Sequence, residues 1–163
     1  MTAEARIRPA RPDEAALLAA LVGRAYAPWV PVIGRRPGPM DDDYAARIAG
    51  GEAHVLEGPD GALLGLVVIE RHADHLMLDN IAVEPAQAGT GAGRRLMEFV
   101  EAEARRLGYA EVRLYTHALM ARNIALYERG GFVVTDRRSE KGFDRVFMAK
   151  RLDGPGSAAT APR

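Results

Sequence analysis

Apolar positions change their period along the chain, and each change marks an element. Ile7 between Arg6 and Arg8 predicts a short first strand. Pro12-Asp13-Glu14 opens a helix with Pro at its first position and acids in its first turn. Leu17, Leu18, Leu21 and Val22 give that helix its apolar stripe. Residues 27–40 carry Pro28, Pro31, Pro37 and Pro39, so an irregular link is expected there. A short helix over 41–48 follows, capped by one of Asp41–Asp43. The period then shortens. Residues 54–57 and 62–72, around Gly58-Pro59-Asp60-Gly61, read as a hairpin. Residues 75–83 form a further strand, apolar enough to be central, with Pro85 as its stop. Helical spacing returns with Leu96, Phe99, Val100, Ala104 and Leu107, in a helix over 91–107 that ends before Gly108. A strand at 111–117, a helix at 120–129 stopped by Gly130-Gly131, and a closing hairpin of 132–138 with 145–152 complete the series. The pattern is mixed α/β (α+β): a largely antiparallel sheet containing one strand–helix–strand unit. Residues 153–163 are small and polar with Pro and Gly; a disordered tail is expected there, leaving 1–152 as one domain.

Composition narrows the function class. The 163 residues carry 22 basic and 22 acidic side chains, so nucleic acid and anionic membranes are not expected as partners. There is no cysteine, which removes disulfides, a thiolate nucleophile and Cys-based metal sites. The opening residues hold no apolar signal core and no run approaches membrane-spanning length, so a cytoplasmic protein is expected. All the basic residues except Lys141 and Lys150 are Arg, which reads as composition bias. His54, His72 and His75 lack metal-ligand spacing and read as structural, so no metal is expected.

The chemistry concentrates in Ala88-Gly89-Thr90-Gly91-Ala92-Gly93-Arg94, between a buried strand and a long helix. Glycine is needed where a backbone turns tightly or approaches a ligand without a Cβ in the way. Successive N–H groups at a helix start make a seat for phosphate. A Walker A loop would need Lys-Ser/Thr after the last glycine, where Arg94-Arg95 stand. A dinucleotide fingerprint would need Gly-x-Gly-x-x-Gly and an acid ending the next strand, which here ends Tyr115-Thr116-His117.

Val83-x-Pro85 followed by Gly89-x-Gly91-x-Gly93-x-x-Leu96 instead resembles the acetyl-CoA loop of the GNAT superfamily of N-acetyltransferases. Ala88 stands where that loop usually has Gln or Arg, and Gln87 comes one residue early. Leu126-Tyr127-Glu128 leading into Gly131-Phe132 resembles a second signature of the superfamily, and Val146–Lys150 its last strand. The resemblance implies a GNAT-like single domain with a central, mostly antiparallel mixed sheet of about six to seven strands and about four flanking helices. It further implies transfer of acetyl from acetyl-CoA, the cosubstrate, directly to a primary amine of a small molecule or peptide in a ternary complex. The alternative is a non-catalytic acyl-CoA-binding regulatory module of the same fold. Homodimers are common for such folds.

Roles follow from the resemblance. Ala88, Gly89, Thr90, Gly91, Ala92, Gly93 and Arg94 would hold the pyrophosphate, with Arg94 or Arg95 supplying charge. Ile81, Ala82 and Val83 would pair with the pantetheine amides where the fourth and fifth strands splay, and the Val83 N–H would face the thioester oxygen. Tyr127 matches the general acid that reprotonates the departing thiolate, and Asn123 a cofactor contact. The base that deprotonates the amine is open among Asp79, Tyr115 and His117; Asp79 shares a strand face with Ile81 and Val83. The acceptor lip would lie in 26–44, where Tyr26, Trp29 and Tyr44 could wall a pocket, Asp41–Asp43 attract an amine, and Arg35-Arg36 a carboxylate.

Overall fold

The computed structural model describes residues 4–152. Seven strands, β1 (Arg6–Pro9), β2 (Ala53–Glu57), β3 (Leu63–Arg71), β4 (Leu76–Val83), β5 (Glu111–His117), β6 (Val133–Glu140) and β7 (Phe143–Arg151), form one sheet in the order β1-β2-β3-β4-β5-β7-β6. The β4–β5 pair is parallel, and the β1–β2, β2–β3, β5–β7 and β6–β7 pairs are antiparallel. The longer helices are α1 (Ala15–Tyr26), α4 (Ala92–Arg106) and α5 (Ala121–Arg129); α2 (Trp29–Ile33) and α3 (Tyr44–Ala49) are short. The expected tail at 153–163 lies outside the described residues.

The chain divides into two compact units. One holds the described residues up to Ile69 together with Asp79–Phe99. Its core joins Leu18, Leu21 and Val22 of α1 with Tyr44 and Ile48 of α3, Val55 of β2, Leu66 and Val68 of β3, and Ala82 of β4. Leu17, expected in the α1 stripe, is 55% exposed, so the buried stripe is narrower than its sequence suggests. An Arg8 guanidinium fork ties the unit's rim together: it donates to both Glu14 oxygens, at 3.0 and 2.8 Å, and to Glu57 at 2.9 Å. Gly65 is a requirement of packing. A Cβ there would come within 2.9 Å of both the Ala82 carbonyl oxygen and Leu96 Cδ1.

The proline-rich link is less irregular than expected. Pro28 takes the cap position of α2 and Pro31 falls in its first turn, where no N–H donor is needed; Gly34, at φ 89°, then ends the helix in the left-handed conformation. A 3-10 turn follows at Gly38–Asp41, and Asp43 caps α3 by accepting the Ala46 N–H at 3.0 Å.

The second unit holds Glu70–Leu78 and the described residues from Val100 onward. Here β5 pairs with β7 along the whole length of β5, from Glu111↔Arg151 to His117↔Arg145. The β6–β7 turn uses the two positions with positive φ that a tight hairpin needs, Lys141 at 53° and Gly142 at 81°.

Candidate functional site

In the first unit, β4 runs into a 3-10 turn at Pro85–Gln87 and then into the glycine loop. Gly89 and Gly91 adopt φ 80° and 89°, a region open to glycine and strained for other residues, and nothing lies within 4 Å of where a Cβ would be. The loop therefore has room to spare, and glycine is there for conformation and access. Arg95 N–H makes a helical bond to Gly91 O at 3.0 Å, so the Ala92, Gly93 and Arg94 N–H groups before it fall in the turn that has no intrahelical acceptors. The Thr90 hydroxyl turns back to the Gln87 carbonyl at 2.7 Å, which closes the loop on itself. At its root, Arg24 of α1 grips Glu84 with two bonds of 2.7 and 2.8 Å. The two arginines opening α4 differ. Arg95 donates to the Ala5 carbonyl at 2.7 Å, whereas Arg94 is 83% exposed and has Glu98 only at 3.9 Å. A cradle of open left-handed glycines and first-turn N–H donors fits a pyrophosphate group.

β4 alternates strictly between buried and half-buried residues, which puts Asp79, Ile81 and Val83 on one face and Asn80 and Ala82 on the other. The parity expected from the sequence is therefore the one found. The Glu84 N–H bonds to Leu64 O at 2.9 Å, and the Ala82 carbonyl lies against Gly65, so even-numbered peptide groups face β3. By alternation, the Ile81 carbonyl and the Val83 N–H face the opposite edge. The ladder between β4 and β5 runs from Leu76↔Val112 to Leu78↔Leu114, and β4 continues to Val83.

Asp79 meets a partner that no local pattern pairs with it. Arg47 of α3 lies 2.9 Å from Asp79 and also 2.9 Å from each of Asp42 and Glu52. Of the acids at 41–43, Asp42 is thus committed to Arg47, Asp43 is the α3 cap, and Asp41 pairs with Arg36. Asn80, 3% exposed, is a functional candidate outside the sequence motifs; an amide on the buried parity of an apolar strand is its one sequence signal. It lies between two tyrosines: Tyr26 Oη donates to Asn80 Oδ1 at 2.7 Å, and Asn80 Nδ2 donates to Tyr44 Oη at 3.1 Å. Tyr44 is a core residue, 3% exposed, whose hydroxyl donates to the Pro39 carbonyl at 2.6 Å. It ties α3 to the turn that precedes it. Tyr26 and Trp29 are half-buried.

In the second unit, Tyr127 is 7% exposed on α5, with its ring edge-on to Phe132 at 6.1 Å. Burial pushes its phenol up to about 12. Asn123, half-buried, lies one helical turn earlier on the same α5 face. Tyr115 packs against Phe147 at 5.6 Å and under the Arg145 guanidinium at 4.5 Å. His117 Nδ1 accepts the Leu119 N–H at 3.0 Å, so its neutral ring carries the proton on Nε2. Burial lowers its pKa, helped by Arg145 and opposed by Asp144. His72 and His75 stack at 4.6 Å in the β3–β4 turn. Among the described residues no group of His, Asp and Glu side chains is arranged to hold a metal ion, and no helix is long and apolar enough to cross a membrane.

A family model described as the acetyltransferase (GNAT) family matches residues 20–132. A curated relative, "IAA acetyltransferase" of Azospirillum brasilense, is 35% identical over 90 residues, which cover 54% of this chain and 59% of that protein. The match thus spans well under two thirds of the relative's length. Among solved structures, the ribosomal-protein-S18-alanine N-acetyltransferase from Escherichia coli superposes with a TM-score of 0.74 at 24% identity, covering 94% of this chain and 97% of that one. The paia N-acetyltransferase from Thermoplasma acidophilum, in complex with coenzyme A, gives 0.74 at 17% identity, covering 92% and 100%. At those identities the two structures establish a shared fold.

Proposed function

The chain belongs to the acetyltransferase (GNAT) family, and on that premise we propose that it moves an acetyl group from acetyl-CoA directly to a primary amine of a small molecule or peptide. The observation that carries this reading is the open, left-handed glycine loop leading into α4, one short turn after a strand whose Ile81 and Val83 peptide groups face away from β3. Acetyl-CoA would supply an activated thioester carbonyl and a thiolate leaving group. First-turn N–H groups of α4 and the exposed Arg94 would hold its pyrophosphate. The Ile81 and Val83 peptide groups would pair with its pantetheine amides, and the Val83 N–H would stabilise negative charge on the carbonyl oxygen.

Tyr127 would serve the leaving sulfur. A phenol at about 12 keeps its proton throughout the working range, while an ordinary thiol titrates at about 8.5. Tyr127 therefore steadies the thiolate with a hydrogen bond, and full proton transfer is uphill. For the amine proton, the base assigned is Asp79, on the same face as Ile81 and Val83, with its carboxylate oriented by Arg47. The Nδ1 bond of His117 to Leu119 makes that residue a poorer acceptor.

The test is a panel of primary amines with free-thiol detection, preceded by thermal shift with acetyl-CoA and with NAD. Acetyl-CoA at 100 times its Kd should stabilise the fold by about 2.7 kcal/mol. A shift with NAD and none with acetyl-CoA overturns the reading. Acetyl-CoA binding without thiol release for any amine would instead support an acyl-CoA-binding regulatory module.

A further inference from the structure

The segment from Glu84 to Thr90 is bonded to itself. Gln87 N–H donates to the Glu84 carbonyl at 2.7 Å, Ala88 N–H to the Pro85 carbonyl at 3.1 Å, and Thr90 N–H to the Gln87 carbonyl at 3.2 Å. The Thr90 hydroxyl donates to that same Gln87 carbonyl at 2.7 Å. Pro85, Ala86, Ala88, Gly89 and Thr90 are exposed. These bonds fix the shape of the segment, but a turn closed on itself carries no direction relative to the sheet. Its direction is set at its two ends, Glu84 and α4.

Glu84 has its three polar groups engaged with three different parts of the fold. Its N–H donates to the Leu64 carbonyl on β3 at 2.9 Å, and its carbonyl accepts the Gln87 N–H. Its carboxylate accepts Nε and Nη2 of Arg24, in the last turn of α1, at 2.7 and 2.8 Å. A two-bond guanidinium–carboxylate pair fixes direction as well as distance, which one contact does not. The Arg24 hydrogen bonds also hold the Glu84 carboxyl below its ordinary range, so the pair stays charged at neutral pH. The pairing has an electrostatic side too. A carboxylate left alone at the root of a pyrophosphate cradle repels the ligand, and the Arg24 charge offsets it.

We infer that Arg24 is a positioning residue for acetyl-CoA, acting through Glu84. Its two bonds set the direction in which the glycine loop leads into the first-turn N–H groups of α4, and its charge offsets that of Glu84. The inference rests on the acetyl-CoA reading and deepens it. Arg24 is not a ligand of the pyrophosphate in this account, so its effect falls on donor affinity and reaches the chemical step only through it.

The experiment is calorimetric titration of the full chain with acetyl-CoA, followed by kinetics on the primary amine that releases thiol fastest in the panel above. Arg24→Gln should raise the Kd for acetyl-CoA about fivefold, and Glu84→Gln about twofold, since the latter removes the repelling charge along with the tether. The double variant should be no worse than Arg24→Gln alone, because Arg24 acts only through Glu84. Arg24→Lys keeps the charge without the fork and should recover part of the loss. At saturating acetyl-CoA, kcat and the KM for the amine should stay near wild type in Arg24→Gln. The control is another two-bond pair, Arg106 with Glu103 at 2.8 and 2.6 Å at the end of α4. Arg106→Gln should leave the Kd unchanged. An unchanged Kd in Arg24→Gln, additive effects in the double variant, or an equal loss in Arg106→Gln overturns the inference and leaves the transfer reading standing. Wild-type protein that fails to bind acetyl-CoA overturns both.

Discussion

Arg47 holds Asp79 at 2.9 Å while also holding Asp42 and Glu52, so one guanidinium from α3 organises three carboxylates, one of them on the strand assigned to the reaction. All four side chains are partly shielded from water, so the pairs are stronger than surface ion pairs and weaker than fully buried ones. Removing the shared partner is costly, because three negative charges are left facing one another. Arg47→Ala is expected to lower unfolding free energy by about 2 kcal/mol in urea titrations, and Asp79→Asn by less than about 1 kcal/mol. Asp79→Asn should also depress kcat and flatten the acidic limb of its pH profile. An unchanged profile would remove Asp79 as the base.

Arg94 and Arg95 should separate cleanly. Arg94→Ala is expected to weaken acetyl-CoA binding about threefold to tenfold, with a shallower salt dependence, since an exposed cation near the phosphates is lost. Arg95→Ala should leave the Kd near wild type, because that guanidinium is spent on the Ala5 carbonyl. Calorimetric titration of both variants at two salt concentrations checks the contrast.

Gly91→Ala tests the loop itself. No atom lies within 4 Å of the added methyl, so the penalty is conformational, about 1–2 kcal/mol for an L-residue at φ 89°. The variant should either lose that stability in denaturant or relax the loop and lose acetyl-CoA affinity. Wild-type values for both would show that the left-handed conformation is not required.

Tyr127→Phe is expected to cut turnover while sparing acetyl-CoA affinity, by up to about 100-fold if the hydrogen bond to sulfur is its main role. Its folded pKa is raised above the unfolded value of 10, to about 12, so burial favours the neutral phenol. The corresponding stability is present below pH 10 and is lost as pH rises through about 12. Alkaline unfolding of wild type against Tyr127→Phe measures this directly, and the variant should be the less sensitive of the two.

Glu14 should govern the acid limb of stability. Hydrogen bonds from Arg8, ahead of the backbone bond from Arg11, hold its carboxyl down at about 2 against an ordinary 4.5. The contribution is therefore complete above pH 4.5 and disappears as pH falls through about 2. Glu14→Gln should unfold more easily at neutral pH and show a flatter pH dependence across that window.

The order and type of nearly every element follow from local pattern, because period and turn chemistry are local. The alternation in β4 and the strand at 111–117 read directly from their side chains. The glycine loop was legible for the same reason: positive φ at Gly89 and Gly91 is a property of those residues and their neighbours. The short α2 is not legible in the sequence, because four prolines signal a broken segment, whereas two of them fall where a helix tolerates them. Which polar groups meet across long stretches of chain depends instead on the folded core. Arg47 reaches Asp79 from 32 residues away, Tyr44 reaches Asn80 from 36, and Arg95 reaches Ala5 from 90. No local pattern encodes such pairs. A hydrogen bond needs two groups within about 3 Å in the right orientation, and that depends on the packing of the whole core rather than on any one segment.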